Sequence, residues 1–340
     1  MDSLKIDSHK LEFHPHRVAA WRDSGDDWEK AKKVYPIYIE ISPMGACNHR
    51  CTFCAVDYIG YKAVQLDASL LGERLLEMGS LGVKSVMFAG EGEPLLHKNI
   101  NRMVRFAQLA GIDTSFTTNG TLLDHLHFDG VSWVKVSINA GKRETYGQIH
   151  RTKAQDWDRV WQNIKNAVHR KGTCKLGVQM VCLPENAGEE KEIQALCDDT
   201  GVDYLVFKPY SQHKMSITRQ YKGYKPIALP EGKGTVIRHE AIRTEGHEYS
   251  KCNATPFFWC YVMASGDIYS CSAYLLDERF RLGNINEHGF QSIWEGERRR
   301  ANWELVRKKL DIHECRLNCR MNQANKFLWG FDHQEHVNFV

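Results

Sequence analysis

The sequence predicts an α/β fold built on parallel strands, as a doubly wound sheet or a barrel, followed by a small cysteine-rich region. Two observations carry that reading. Strand-like runs rich in Val, Ile and Phe alternate with segments of helical period, and alternation of this kind implies parallel strands joined by right-handed crossovers. In addition, each candidate functional segment follows a predicted strand, which is where barrels of this kind carry their chemistry.

Residues 1–35 are polar, with charges concentrated in Asp26-Asp27-Trp28-Glu29-Lys30-Ala31-Lys32, and read as an N-terminal extension ending in a short helix. Ile37-Tyr38-Ile39-Glu40-Ile41 alternates at period two and is the first strand. Strands follow at 83–89, 112–117, 131–138, 175–182 and 203–207, with helices at 67–79, 98–110, 156–171 and 189–199. Within 98–110, Ile100, Met103, Val104 and Ala107 take helical spacing. Pro209, Pro226, Pro230 and several glycines break any period in 209–250, so this stretch is a linker or ordered crossover between a first domain at 36–208 and a second at 251–340. The second is small for an independent core, and a metal centre would help to hold it.

The composition of the 340 residues is that of a globular chain: 42% hydrophobic, 26% charged and a formal net charge of +3. It excludes a disordered, collagenous or coiled-coil chain and gives no support for a polyanionic partner such as nucleic acid. No apolar run approaches the ~18 residues of a membrane span and the start lacks a secretion signal, so the expected location is cytoplasmic, without a membrane partner. Eleven cysteines in such a compartment are read for metal binding or catalysis before disulfides.

Cys47, Cys51 and Cys54 lie in Cys47-Asn48-His49-Arg50-Cys51-Thr52-Phe53-Cys54, directly after the first strand. Zinc sites usually pair C-x2-C with a second pair, whereas three thiolates this close can ligate three irons of a [4Fe–4S] cube and leave the fourth open. A zinc knuckle is the alternative. The C-x3-C-x-aromatic-C spacing resembles the signature of the radical S-adenosylmethionine enzymes. Membership implies that the open iron binds S-adenosylmethionine, and that one electron cleaves it to a 5′-deoxyadenosyl radical, which takes hydrogen from substrate.

The resemblance extends along the chain. Ala89-Gly90-Glu91-Gly92-Glu93-Pro94 is similar to the family's GGEP element, implying that Gly92 and Glu93 meet the methionine amino group. Asn119, in Thr117-Thr118-Asn119-Gly120, is implied near the ribose and carboxylate. Ser137 and Asn139 are implied at the cofactor from the fourth strand, and Asn186 on the adenine side. The implied fold is a partial (βα)6 TIM-like barrel with a small SPASM or twitch extension. That extension resembles the run from Cys252 through Gly266 to Cys271, followed by Cys315 and Cys319. These four cysteines are implied to hold a second, auxiliary [4Fe–4S] cluster. Cys260 is then spare: Phe258, Cys260 and Val262 share one face of a strand, so its thiol is either core or, at the barrel mouth, a hydrogen donor. A four-cysteine zinc site is the alternative here too.

Lys208, Tyr210, Gln212 and His213 follow the sixth strand, where a polar substrate would sit. Arg298-Arg299-Arg300 with Arg307-Lys308-Lys309 lies on a helix and reads as a solvated face, with docking of an acidic reductase as the other reading. The expected function is a radical oxidoreductase acting on a small polar metabolite, a sugar or nucleoside derivative, with oxidation, epimerisation or decarboxylation as the outcome. A flavodoxin- or ferredoxin-type protein is the expected electron donor. The alternatives are a maturase that crosslinks or epimerises a ribosomal peptide and, from another class, a zinc-stabilised binding protein.

Overall fold

The computed structural model describes residues 5–6, 8–210, 213–221, 224, 229–232, 234–238, 246–316 and 319–338. Six strands form where the sequence places them: β1 Tyr38–Ile41, β2 Ser85–Phe88, β3 Asp113–Thr118, β4 Val131–Ser137, β5 Lys175–Cys182 and β6 Tyr204–Pro209. They pair in parallel in chain order, and helices Ala68–Ser80, Ile100–Leu109, Gln155–Arg170 and Glu190–Thr200 cover their outer face. Alternation along each strand sorts the two faces. In β4, Val134 and Val136 are fully buried under the helices, whereas Trp133 and Lys135 face the lumen.

Two features extend this sheet beyond expectation. Within 209–250, Thr235–Ile237 forms β7 and pairs in parallel with β6. At the other edge β8 (Trp259–Val262) pairs in parallel with β1, in register Tyr38↔Trp259 to Ile41↔Val262. The antiparallel strands β9 (Asp267–Tyr269) and β10 (Arg281–Asn284) follow, giving one ten-stranded sheet in the order β10-β9-β8-β1-β2-β3-β4-β5-β6-β7. The cysteine-rich region therefore continues the barrel's own sheet through its hairpin.

Residues 11–37 have a clear packing role. Leu11, Val18, Trp21, Trp28 and Val34 form a separate apolar cluster with Phe257, Phe258, Trp303 and Leu328. Within the basic run on helix Glu297–Lys308 the same packing corrects Arg299 alone, because positions 299, 303 and 306 share one helical face and that face is buried. Arg299 is 1% exposed, donates to the carbonyls of Trp294 and Pro256 at 3.0 and 2.8 Å, and lies over the Trp294 ring. Arg298 and Arg307 pair with Glu278 and Asp26. Arg299 is therefore a buried clamp, while Arg298, Arg300, Lys308 and Lys309 lie on the solvated face that the sequence predicts. Among the described residues no helix is long and apolar enough to cross a membrane.

Candidate active site

The three-cysteine loop leaves β1 at the end of the sheet where β2 and β3 also release their loops. Glu93 N–H donates to the Ala46 carbonyl at 2.9 Å, and Gly45 N–H to that of Val64 at 2.8 Å. Gly92 allows this approach: a Cβ there would lie 2.2 and 2.3 Å from the carbonyl oxygens of Met44 and Ala46. On its other side the loop rests on the end of helix Arg143–His150. Arg50 N–H donates to the His150 carbonyl at 3.1 Å and Thr52 N–H to that of Ile149 at 2.8 Å.

Cys47, Cys51 and Cys54 are free and partly buried. Burial pushes the Cys47 thiol up to about 12, with the charges of Glu93 and Cys54 adding to it. Burial also raises Cys51, and the charges of Cys54 and Cys47 add to the effect. Three partly buried thiols on one short loop suit an iron–sulfur cluster, since binding iron is what would stabilise thiolates there. His49 and His150, neither singled out from sequence, have ring nitrogens within 4.8 Å of the Cys51 sulfur and of one another. His150 Nδ1 is 3.3 Å from that sulfur and its Nε2 2.7 Å from the Ile138 carbonyl. Burial lowers His49 to about 4 and His150 to about 3, so both are neutral near pH 7.

Four expected cofactor contacts also make hydrogen bonds within the protein. Glu93 is 2% exposed and its carboxylate accepts from Leu95 N–H at 3.0 Å, the Thr118 hydroxyl at 2.6 Å and Asn119 N–H at 2.7 Å. It is a strut between the β2 and β3 loops. Asn119 braces the cysteine loop: its Nδ2 donates to Asn48 Oδ1 at 2.7 Å, while its Oδ1 accepts from Thr121. Asn139 is fully buried at φ +58°, and its Oδ1 accepts from Val181 N–H. Asn186, also fully buried, donates to the carbonyls of Asn139 and Val181 and accepts from Leu183 N–H. Each thereby satisfies buried backbone groups. Ser137 faces inward beside Gln179, whose Nε2 is 3.5 Å from its hydroxyl. Glu91 instead accepts from Ala264 N–H at 2.6 Å, tying this loop to the β8–β9 turn.

Cys252, Cys271, Cys315 and Cys319 form a second convergence. Burial raises Cys271, and the charges of Cys319, Cys252 and Cys315 add to the effect. Met321 N–H donates to the Cys319 sulfur at 3.4 Å, and the Tyr274 hydroxyl lies 3.3 Å from that of Cys315. Four thiols with hydrogen-bond donors around them fit a fully ligated cube. Cys260 is not among them. It is fully buried in the core with Ile39, Ile41 and Val262, on the face of β8 opposite Trp259 and Tyr261, which line the lumen. The hydrogen-donor reading is corrected accordingly, since no substrate in the lumen reaches that thiol.

One cavity of about 870 Å³ connects Cys54 with Cys252, Cys271, Cys315 and Cys319. Lys208, Tyr210 and His213 line it, with Tyr58 stacked on His213 at 5.2 Å; Gln212 lies outside the described residues. Glu40, Lys135, Gln179, Arg238, Arg316 and Arg320 also line it and were not singled out from sequence. The signal for Lys135 was legible: it occupies the inward position of a strand whose alternate residues are Val134 and Val136.

Comparison with known proteins agrees with this geometry. Residues 41–197 match the model of the radical SAM superfamily, and residues 252–320 that of the SPASM iron–sulfur cluster-binding domain. A GTP 3′,8-cyclase from Chlorobaculum tepidum is 30% identical over 63% of this chain and 69% of its own length. One from a Picosynechococcus species is 31% identical over 52% of this chain and 58% of its own length. Among solved structures, Streptococcus suis SuiB bound to the precursor peptide SuiA has a TM-score of 0.60 at 17% identity, covering 81% of this chain and 68% of that one. Native anSMEcpe with bound AdoMet has a TM-score of 0.57 at 15% identity, covering 87% and 98%.

Proposed function

Because this chain belongs to the radical SAM superfamily, we propose that its cavity takes a small polar metabolite, a sugar or nucleoside derivative, and that hydrogen abstraction leads to oxidation, epimerisation or decarboxylation. When bound, the cluster and S-adenosylmethionine supply the 5′-deoxyadenosyl radical for that step. Cys47, Cys51 and Cys54 would hold the first cluster, and Cys252, Cys271, Cys315 and Cys319 the auxiliary one. The residues around them supply position and shelter. Glu93, Asn119 and Asn48 fix the cysteine loop against the β3 end, and Gly92 lets the two loops touch.

The observation that carries the reading is the single cavity that reaches from Cys54 to the auxiliary cysteines. Its size is that of a small-molecule site, and Gln179, Tyr210 and His213 provide polar contacts along it. Relatives named for a reaction on GTP add support for a nucleoside derivative. A flavodoxin- or ferredoxin-type protein would deliver the electron. The test is anaerobic incubation of reduced protein with S-adenosylmethionine and small-molecule extract of its host, following 5′-deoxyadenosine and new masses. Stimulation by the low-mass fraction is expected. Stimulation by a peptide fraction alone would overturn the reading.

A further inference from the structure

We propose that His49, Cys51 and His150 form a mononuclear zinc site, filled while the first cluster is absent and given up when that cluster forms. The donors come from two segments that pack together. His49 and Cys51 belong to the cysteine loop, and His150 is the last residue of helix Arg143–His150, whose terminal carbonyls receive Arg50 N–H and Thr52 N–H. One ligand atom from each of the three residues lies within 4.8 Å of the others.

Both rings are set up as ligands. His150 Nε2 is 2.7 Å from the Ile138 carbonyl, which can only accept, so the neutral ring carries its proton on Nε2 and turns the Nδ1 lone pair to the Cys51 sulfur at 3.3 Å. Histidines that ligate metals ordinarily give their second N–H to a carbonyl or carboxylate in this way, because that bond fixes tautomer and ring. Tyr146, stacked with centroids 4.2 Å apart, and the edge-on Phe53 ring at 5.5 Å hold His150 in place. His49 supplies an independent observation. It is 1% exposed, and neither of its ring nitrogens has a hydrogen-bond partner among the described residues. Buried polar nitrogens are ordinarily paired, and a metal would take up one of these.

The donor set selects the ion. One thiolate and two neutral imidazoles suit Zn²⁺, whereas Mg²⁺ and Ca²⁺ take oxygen ligands, and three protein ligands leave a fourth position for water. Binding releases the Cys51 proton to solvent. Cys51 is also a ligand of the first cluster, so the two occupants exclude each other. Zinc would clip the loop to the helix end in protein that has yet to receive iron.

Co²⁺ is the probe, since it takes the ligands of zinc and reports them in its visible spectrum. The full chain is produced in iron-depleted, cobalt-supplemented medium, so that it folds with metal, and metal content, spectrum and melting temperature are measured. The parent should hold about two equivalents, one at the four auxiliary thiols and one at this site. The variant carrying Cys47→Ala and Cys54→Ala should keep both. The variant carrying His49→Phe and His150→Phe should lose one, together with the absorption of cobalt bound by nitrogen and sulfur. Loss of that signal in the cysteine variant would mean that the loop's three thiols bind the ion, and overturns the proposal. Its retention in the histidine variant, or a parent showing only four-sulfur cobalt, overturns it equally. If the histidine variant does not fold, the parent and the cysteine variant decide by the same signal.

A second arm tests the sharing of Cys51. Iron and sulfide are added to the cobalt-loaded parent, and the nitrogen-and-sulfur signal should fade as iron enters. Persistence of that signal at the iron content of the fully cluster-loaded protein would overturn the exclusion. Neither arm contains a substrate, so both outcomes are independent of what the cavity accepts.

Discussion

The two cysteine constellations bring thiols together by opposite routes. Cys47, Cys51 and Cys54 come from one loop, laid against the finished ends of β1, β2 and β3 and fastened by Glu93, Asn119 and the carbonyls of Ile149 and His150. Cys252, Cys271, Cys315 and Cys319 come from separated segments: before β8, after β9, and on either side of Arg316 ahead of helix Asn322–His333. They meet only once the hairpin has joined β1 and that helix has packed on the N-terminal extension. The first site is a local loop laid on the ends of the barrel strands. The second is a product of chain closure, so its iron is coupled to folding.

The contrast is sharpest in stability. Replacing Cys252 and Cys319 together with Ala should lower the melting temperature by on the order of 10 °C, because a cluster bound by the folded state contributes its binding energy to folding. The same variant should still cleave S-adenosylmethionine at permissive temperature. Thermal melts beside a 5′-deoxyadenosine assay check both halves, and an unchanged melt would mean that closure holds without iron.

A smaller effect is expected from Glu93→Gln. The carboxylate accepts three hydrogen bonds from buried groups, and an amide has one acceptor oxygen and two donors of its own, so at least one buried donor loses its partner at a cost of ~1–3 kcal/mol. Urea unfolding measures this. If the strut role is right, the variant loses stability and loads less iron at the cysteine loop. A loss of S-adenosylmethionine affinity with stability and iron intact would return Glu93 to direct contact with the cofactor.

The smallest effect belongs to Cys260→Ala. The residue is fully buried among aliphatic side chains, so removing its sulfur costs about 1 kcal/mol as a small cavity, with both clusters and turnover retained. Loss of auxiliary iron in this variant would show that the four-thiol set is incomplete.

What could be read from sequence follows the same division between local and distant. The six strands were legible because Val, Ile and Phe alternate within single segments, and the cysteine loop because its spacing lies within eight residues. β7 was not, since three residues carry no period. Nor was the parallel pairing of β8 with β1, which joins segments far apart in the chain. Glu93, Asn139 and Asn186 lie at their expected loops, yet each also bonds a group distant in the chain, Thr118 and Asn119 for Glu93, Val181 for Asn139 and the Asn139 carbonyl for Asn186, which no local pattern shows. Arg299 in a run of three arginines looked solvated because composition hides which helical face meets Trp28 and Trp294.

The most direct test of two separate centres is to replace Cys47, Cys51 and Cys54 together with Ala, then measure iron, melting temperature and 5′-deoxyadenosine on anaerobically prepared protein. With one cube at each constellation, the variant should keep roughly half the iron, since the auxiliary cluster has four thiolates of its own. It should melt close to the parent and form no 5′-deoxyadenosine. Continued cleavage of S-adenosylmethionine, or loss of all the iron together with the fold, would contradict the division of labour between the two sites.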